Sequence, residues 1–287
     1  MTERPAPPVL SNPRSERVRA ARRLAGRSAR QRAGAFLAEG PQAVREAVAG
    51  HAPGRPGAVR ELFVTSDGAG RHAGIVAAAH AAGIAVRPCT DEVLAEIADT
   101  TTPQGLVAVC DLVAVPLGTA LERRPRLVAV LSRVRDPGNA GTVLRAADAA
   151  GAGGVVLTDA SVDVHNPKCV RSTAGSLFHL DVVTGPTLGE AVAALRAAGC
   201  AVLAADGAGD VDVDDLVDDA TAGRGPLAGP VAGVFGNEAW GLPEEDRALA
   251  DAVVRVPIHG RAESLNLATA AAVCLYASAR AHRPGGA

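Results

Sequence analysis

The chain has 287 residues, is 48% hydrophobic and carries a formal net charge of −2. This length allows about two domains, and no apolar run reaches the ~18 residues of a membrane-spanning helix. The near-neutral charge argues against a general polyanion binder. The cysteines are odd in number, widely spread and never spaced as metal ligands, so we expect reduced thiols and neither a disulfide framework nor a metal site.

The first 32 residues form a basic N-terminal arm, with nine arginines against Glu3 and Glu16. The arm lacks the apolar core of a secretory signal, which predicts a cytoplasmic protein. Residues 1–14 are expected to be disordered, and Ser15 is expected to cap a basic helix that extends to Arg32. This helix could lie on a phosphate backbone; a solvated tail is the alternative.

Residues 33–110 alternate between helical and extended patterns, which predicts a small α/β domain. The expected elements are helices over 39–49, 71–82 and 91–98, and strands over 59–65, 84–87 and 106–112. Residues 111–125 are rich in proline, glycine and charge and are predicted to be a linker.

Residues 126–287 continue the alternation as a second domain, so we expect an α/β fold with a mostly parallel sheet. Strands are predicted over 127–132, 154–158, 180–184, 201–205, 231–235 and 253–256, helices over 140–150, 188–198 and 267–279, and a loop followed by a helix over 160–177. The acidic segment 206–229 is expected to be a solvated loop, because it lacks the spacing and the closing glutamate of a calcium loop.

Three predicted strands are followed by polar runs, where ligands of open α/β sheets bind. The first run, residues 132–145, has Asn139 at a predicted helix N-cap and Arg145 six residues later. The second is Gly236-Asn237-Glu238, and the third ends in Ser264-Leu265-Asn266 before the most apolar helix of the chain. A helix cap and a surface arginine would explain the first run alone, but three such loops together favour a site.

These blocks resemble, in order, those of the SpoU (TrmH) family of the SPOUT superfamily, which are RNA ribose 2′-O-methyltransferases. The matching residues are Asn139 with Arg145, the His165-Asn166-Pro167-Lys168 block that runs to Ser176, the run Phe235–Leu242, and Ile258 followed by Ser264-Leu265-Asn266. The first domain is similar to the family's RNA-binding module of the ribosomal L30 type, through Glu39-Gly40 and the run 102–106.

The resemblance implies a trefoil knot in the second domain and S-adenosylmethionine as the methyl donor, read largely by backbone groups. The residues that it assigns to the cofactor are Phe235, Gly236, Asn237, Val256, Ile258, Ser264, Leu265 and Leu267.

The resemblance also makes Arg145 the key catalytic residue, with Asn139, Glu238, Ser264 and Asn266 orienting the ribose and the arginine. A guanidinium stays protonated in proteins. Arg145 is therefore expected to stabilise the developing alkoxide, or to grip a neighbouring phosphate that takes the proton, rather than to act as a simple base.

The expected partners are 23S ribosomal RNA and a second copy of the chain, packed through the knotted domain, with no membrane and no metal. The predicted RNA-binding residues are Arg17, Arg22, Arg23, Arg135, Lys168 and Arg171. Methylation of transfer RNA, or RNA binding without catalysis, are the alternatives. The composition and basic arm are similar to those of actinomycete antibiotic-resistance enzymes of the thiostrepton or avilamycin type, with a housekeeping ribosomal methyltransferase as the competing interpretation.

Overall fold

The computed structural model describes residues 8–283. Its helices are α1 (Glu16–Arg23), α2 (Arg27–Ala33), α3 (Pro41–Ala49), α4 (Ser66–Arg71), α5 (Ala73–Ala81), α6 (Asp91–Ile97), α7 (Leu117–Glu122), α8 (Pro137–Ala149), α9 (Pro167–Ser172), α10 (Leu188–Ala197), α11 (Val213–Thr221), α12 (Glu244–Arg247) and α13 (Leu267–Ala281). Its strands are β1 (Ala35–Glu39), β2 (Val59–Thr65), β3 (Ala85–Cys89), β4 (Leu106–Asp111), β5 (Leu127–Leu131), β6 (Gly154–Leu157), β7 (Asp181–Thr184), β8 (Ala201–Ala205), β9 (Val211–Asp212), β10 (Val231–Phe235) and β11 (Ala252–Arg255).

The chain divides into two compact units. The first runs to Val113 and also includes His165–His179, while the second consists of the remaining residues. The segment 165–179, placed in the second domain by the sequence pattern, thus packs with the first unit. An aromatic contact holds this segment to the first unit, because the ring centroid of His165 lies 4.9 Å from that of Phe36.

The first unit contains a four-stranded sheet in the order β1-β4-β2-β3, in which only the β2–β3 pair is parallel. Strand β1 was not predicted from the sequence, where helix α3 was expected to begin at Glu39. All five residues of this short strand are buried, so it shows no alternation of apolar and polar residues that would mark it as a strand.

The described part of the basic arm is folded into this unit. Ser15 caps α1, as predicted, by accepting a hydrogen bond from the backbone N–H of Val18. The prediction of one helix to Arg32 is wrong, because α1 ends at Arg23 and α2 starts after Gly26. Helix α1 buries an apolar side against α6, which ties the arm to the domain core. The prediction of disorder is wrong for residues 8–14, since the backbone N–H of Leu10 donates to the carbonyl of Pro88 at 2.8 Å; residues 1–7 lie outside the described residues.

The second unit contains a seven-stranded sheet in the order β7-β6-β5-β10-β8-β11-β9, and all of its pairs are parallel. This confirms the predicted α/β class and parallel sheet; the trefoil knot stays a prediction. The predicted linker contains α7, and the acidic segment contains α11 instead of a loop. Helix α11 forms because Val213, Leu216 and Val217 are spaced to bury one face.

The cysteines are free thiols, and all of them are buried. Burial raises the pKa of Cys89 to about 11 and that of Cys274 to about 12. These thiols are therefore protonated and unreactive near neutral pH. Within residues 8–283, no helix is long and apolar enough to cross a membrane.

A close approach of two glycines in the first unit gives a stability prediction. A Cβ on Gly68 would lie 2.8 Å from the carbonyl carbon of Gly105. We expect Gly68→Ala to lower the free energy of unfolding by about 1–3 kcal/mol, because two backbone segments must separate. Gly70, on the same helix α4, has open space at its Cβ position. In urea unfolding followed by circular dichroism, Gly70→Ala should remain within about 1 kcal/mol of the wild type; equal effects of the two changes would contradict the packing explanation.

Candidate active site

The three polar runs follow strands β5, β10 and β11, at the same edge of the parallel sheet. Strands β5 and β10 are adjacent, with Leu131 opposite Phe235. The pairing continues one step past both strands, because the backbone N–H of Ser132 donates to the carbonyl of Phe235 at 2.8 Å. The loops after the two strands therefore leave the sheet side by side.

The loop after β10, residues 236–242, is a tight turn closed by two backbone hydrogen bonds. Asn237 and Gly241 exchange N–H···O bonds of 3.0 and 2.9 Å. The Asn237 side chain accepts from the N–H of Ala239 and donates to the carbonyl of Arg133, both at 2.8 Å. Asn237 is only 6% exposed, so its amide connects this loop to the one after β5.

The loop after β5 is held by contacts that the motifs did not identify. Arg133 adopts a left-handed backbone conformation, with φ of 56°, which is unfavourable for a residue with a side chain. Its N–H donates to the hydroxyl of Thr158 at 3.1 Å, and its guanidinium donates to Asp246 at 3.4 Å. Asp246 is buried and also accepts from the Ser132 hydroxyl. A left-handed arginine beside a buried carboxylate is a tertiary feature that no local pattern indicates.

Helix α8 begins earlier than predicted, and this changes the role of Asn139. The N-cap is Asp136, whose carboxylate accepts from the N–H of Asn139 at 2.8 Å, and Pro137 occupies the first helical position. An aspartate cap followed by proline is a strong helix start. The prediction of Asn139 as the cap is therefore wrong, and its side-chain amide is available for other contacts.

Glu238 joins the loops after β5 and β10 through its carboxylate. One oxygen accepts from the backbone N–H of Asp136 at 3.1 Å and from the Asn139 amide at 3.2 Å. The other accepts from the N–H of Arg135 at 3.3 Å. These N–H groups belong to the turn that starts α8, and a negative charge is stabilising at such a helix start.

Asn266 adds the third loop to this arrangement. Its side-chain oxygen caps α13 by accepting from the N–H of Ala268 at 2.8 Å, and its amide nitrogen donates to the Asn139 oxygen at 3.3 Å. Hydrogen bonds thus run from Asn266 to Asn139 to Glu238, and such a chain polarises its members. We call these three side chains the amide–carboxylate cluster; the motifs nominated all three, and the structure brings them together.

A cavity of about 670 Å³ lies beside the 236–242 loop, at the carboxyl ends of β8, β10 and β11. Every residue that the sequence assigned to the cofactor lines it, together with apolar side chains such as Val254 and the exposed Trp240. The predicted set in the lining is Phe235, Gly236, Asn237, Val256, Ile258, Ser264, Leu265 and Leu267. Phe235 is the most buried of these side chains, at 1% exposed.

The wall of the cavity comes very close to the backbone at Gly236. A Cβ there would lie 2.5 Å from the carbonyl carbon of Gly241 and 2.8 Å from Cγ of Leu242. Glycine is required at this position because any larger residue would force the 236–242 loop open.

Of the predicted catalytic residues, Arg145 lies apart from the others. It is exposed on α8 and is not among the described residues that line the cavity. Six residues along a helix correspond to about 9 Å of rise and 600° of rotation, so Asn139 and Arg145 point to different sides of α8. Ser264 lines the cavity but does not hydrogen-bond to the cluster in the described residues.

Half of the predicted RNA-binding cations are engaged by carboxylates within the first unit. Arg17 pairs with Glu61, and Arg22 pairs with Glu96. Arg171 lies 3.0 Å from Asp99 and 3.6 Å from the buried carboxylate of Glu39. Each partner is at least 44 residues away in sequence, so the sequence pattern could not show them.

The other three predicted RNA-binding cations, Arg23, Arg135 and Lys168, differ in their surroundings. Arg23 is exposed at the end of α1, and Arg135 lies over the ring of Trp240. Lys168 is exposed in α9. No group of three or more His, Cys, Asp or Glu within residues 8–283 is arranged to hold a metal ion.

Comparison with known proteins places this site in a family context. The chain is 32% identical over 267 residues to the 23S rRNA (guanosine(2553)-2′-O)-methyltransferase RlmP of Bacillus subtilis, covering 93% of this chain and 97% of that protein. It is 34% identical over 294 residues to the 23S rRNA (uridine(2479)-2′-O)-methyltransferase of Streptomyces viridochromogenes, covering 94% and 96%. The crystal structure of an rRNA methyltransferase from Sinorhizobium meliloti with bound AdoMet superposes with a TM-score of 0.80 at 31% identity, covering 96% of this chain and 99% of that one.

Two family models match along the chain. Residues 15–108 match the MRM3-like substrate binding domain. This match begins at Ser15, the cap of α1, and so includes part of the basic arm. Residues 126–276 match the SpoU rRNA Methylase family and include the amide–carboxylate cluster and the cavity. The chain therefore belongs to the SpoU rRNA methylase family, as its motifs predict.

Proposed function

We propose that the protein transfers a methyl group from S-adenosylmethionine to a ribose 2′-hydroxyl of 23S ribosomal RNA. The observation that carries the proposal is the position of the amide–carboxylate cluster beside a cavity whose lining includes every predicted cofactor residue. Two relatives that match nearly the whole chain are named as 23S rRNA 2′-O-methyltransferases.

The cavity suits S-adenosylmethionine in size and chemistry. Small-molecule sites typically enclose ~300–1,000 Å³, and this cavity has about 670 Å³. Ile258, Leu265 and Leu267 offer apolar surface to a nucleoside, while the loop backbones offer N–H and C=O groups to its polar edge. When bound, this cofactor would supply an activated methyl group on a sulfonium ion.

The chain's own residues would orient the ribose and handle its charge. Glu238 fixes the turn that starts α8, and Asn139 and Asn266 present amides from fixed positions. Such positioning of a hydroxyl removes much of the entropic cost of reaction. The guanidinium of Arg145 would stabilise the developing alkoxide or hold an adjacent phosphate.

Glu238→Gln tests the role of the cluster. The carboxylate accepts from three donors on its two oxygens, whereas a glutamine offers one oxygen and turns an NH₂ toward a backbone N–H. We expect kcat/KM for methyl transfer to fall by about 10- to 100-fold, because the loop after β5 shifts. Glu244→Gln, a change at an exposed residue of α12, should leave the kinetics unchanged; an unchanged E238Q enzyme would contradict this role.

The proposal includes a homodimer whose site is shared between subunits. Arg145 lies outside the cavity of its own chain, and Val273 and Tyr276 leave exposed apolar surface on α13. A twofold contact through this unit would cover that surface and would allow Arg145 of the partner subunit to reach the ribose. Light scattering at micromolar concentration should give the mass of a dimer, and a monomer would count against this part of the proposal.

Methyl transfer from labelled S-adenosylmethionine to separate, deproteinised RNA classes tests the function. We expect label in 23S RNA and none in 16S or transfer RNA. Label in transfer RNA alone would show that transfer RNA, and not 23S RNA, is the substrate. An inert protein that retains RNA binding would support the non-catalytic alternative.

The proposed location is the cytoplasm. The resistance role stays a prediction, which altered susceptibility to avilamycin or thiostrepton on expression would support.

A further inference from the structure

Trp240, the only tryptophan of the chain, is held outward at the tip of the 236–242 loop. Its side chain is 52% exposed, although the loop beneath it is fixed by the Asn237–Gly241 hydrogen-bond pair and by the buried amide of Asn237. A large aromatic side chain on a fixed turn, exposed at the mouth of a cavity, offers surface to a ligand rather than to the protein core.

Arg135 pairs with this indole. Its guanidinium carbon lies 5.3 Å from the ring centroid, within the range of a cation–π contact. The backbone of Arg135 is itself fixed, because its N–H donates to the carboxylate of Glu238. The Arg135–Trp240 contact therefore connects the loop after β5 to the loop after β10. Glu238 makes a second connection between the same two loops.

The position of the pair relates it to the RNA substrate. Trp240 lines the cavity, and Arg135 is four residues before Asn139 of the amide–carboxylate cluster. A ribose held at the cluster carries its nucleobase on the carbon next to the one that bears the 2′-hydroxyl. The base of the target nucleotide, or of its neighbour, is therefore the substrate group best placed to contact this aromatic and cationic surface.

We propose that Trp240 and Arg135 form a stacking clamp for an unpaired nucleobase of the RNA substrate. The inference rests on the proposed function. Unpaired bases in RNA are typically recognised by stacking on aromatic rings and arginine planes. The aromatic content of the chain is only 2%, too low for an extended platform, but one fixed indole is enough for one base. Because every base has a π-face, the clamp contributes affinity and positioning but does not select the base.

The clamp predicts a specific kinetic pattern. With 23S RNA as substrate, W240A should raise KM for RNA by about tenfold, as expected for the loss of one stacked base. W240F should recover most of this affinity, and R135A should give a smaller increase. The Kd of S-adenosylmethionine should stay within about twofold of the wild type in each variant, because Trp240 is exposed at the mouth of the cavity and is not among the residues assigned to the cofactor. R224A, which removes an exposed arginine paired with Asp219, is the charge-matched control and should match the wild type.

Because Trp240 is the only tryptophan, its fluorescence reports directly on the clamp. Addition of deproteinised 23S RNA to the full-length protein should quench the emission, whereas S-adenosylmethionine alone should not. Quenching by the cofactor alone, together with a cofactor affinity lost in W240A, would instead assign the indole to the cofactor and overturn the clamp. Dissociation of a wild-type dimer by W240A would overturn it in favour of a subunit contact. A wild-type protein without methyl transfer would refute the proposed function, whereas an active wild type with an unchanged W240A would refute the clamp alone.

Discussion

Replacement of Arg145 by alanine is expected to lower kcat for methyl transfer by about 10³-fold, the upper range for loss of one group that stabilises developing negative charge. The same variant should bind S-adenosylmethionine with a Kd within about twofold of the wild type. Activity is expected to fall without a loss of cofactor affinity because Arg145 is exposed on α8 and is not among the described residues that line the cavity.

Two further substitutions sharpen this prediction. Arg145→Lys keeps the charge but loses the planar, bidentate geometry, so we expect activity between those of the wild type and the alanine variant. R224A controls for the loss of an exposed arginine elsewhere in the second unit and should be fully active. Equal loss of cofactor binding and activity in R145A would show that the arginine belongs to the cofactor pocket.

A mixed dimer tells whether Arg145 acts within its own subunit or across the interface. In the mixed dimer, one chain carries R145A and the other carries a weakened pocket, such as Gly236→Ala. If each site combines the pocket of one chain with Arg145 of the other, one of the two sites still has both an intact pocket and an arginine. At an S-adenosylmethionine concentration near the wild-type Kd, where the Gly236→Ala pocket stays mostly empty, we then expect the mixed dimer to show about half of the wild-type rate, although each homodimer is nearly inactive. If the arginine acts within its own chain, the mixed dimer has no complete site and no activity.

Gly236→Ala is expected to weaken S-adenosylmethionine binding by about 10- to 100-fold, which corresponds to the usual ~1–3 kcal/mol cost of overpacking. The added Cβ would lie 2.5 Å from the Gly241 carbonyl carbon and 2.8 Å from Leu242, and the 236–242 loop must open to accept it. Isothermal titration of the purified variant with S-adenosylmethionine measures the change directly.

Gly260→Ala is the matched control, because Gly260 follows β11 in an exposed loop and has nothing within 4 Å of its Cβ position. Its cofactor affinity should be that of the wild type. If Gly236→Ala bound S-adenosylmethionine normally while remaining folded, the close contact at Gly236 would not define the cofactor pocket.

The residues of the cavity and cluster could be predicted because they are carried by short, ordered blocks at strand ends. Phe235 through Glu238 and Ser264 through Asn266 are contiguous runs whose chemistry is visible in the sequence. Helix α13 begins at Leu267, as expected, since Asn266 is a strong capping residue before an apolar run.

Features that depend on distant contacts could not be predicted. The pairing of Arg171 with Asp99 and Glu39 joins residues far apart in sequence. The buried Asp246 likewise accepts a hydrogen bond from Arg133, which is 113 residues earlier in the chain. Helix α11 is a different case: its apolar spacing was present in the sequence but was obscured by the acidic residues around it. The cap of α8 was misplaced because Asn139 and Asp136 are both good caps, and only the Asp-Pro pair distinguishes them.

The most direct test of the central claim is the chemical position of the methyl group. After reaction with labelled S-adenosylmethionine, the 23S RNA would be hydrolysed in alkali, which cleaves a phosphodiester only where the neighbouring 2′-hydroxyl is free. A 2′-O-methylated ribose resists this cleavage, so the account predicts that the label is found in alkali-resistant dinucleotides. Label in mononucleotides would place the methyl group on a base and would contradict the account.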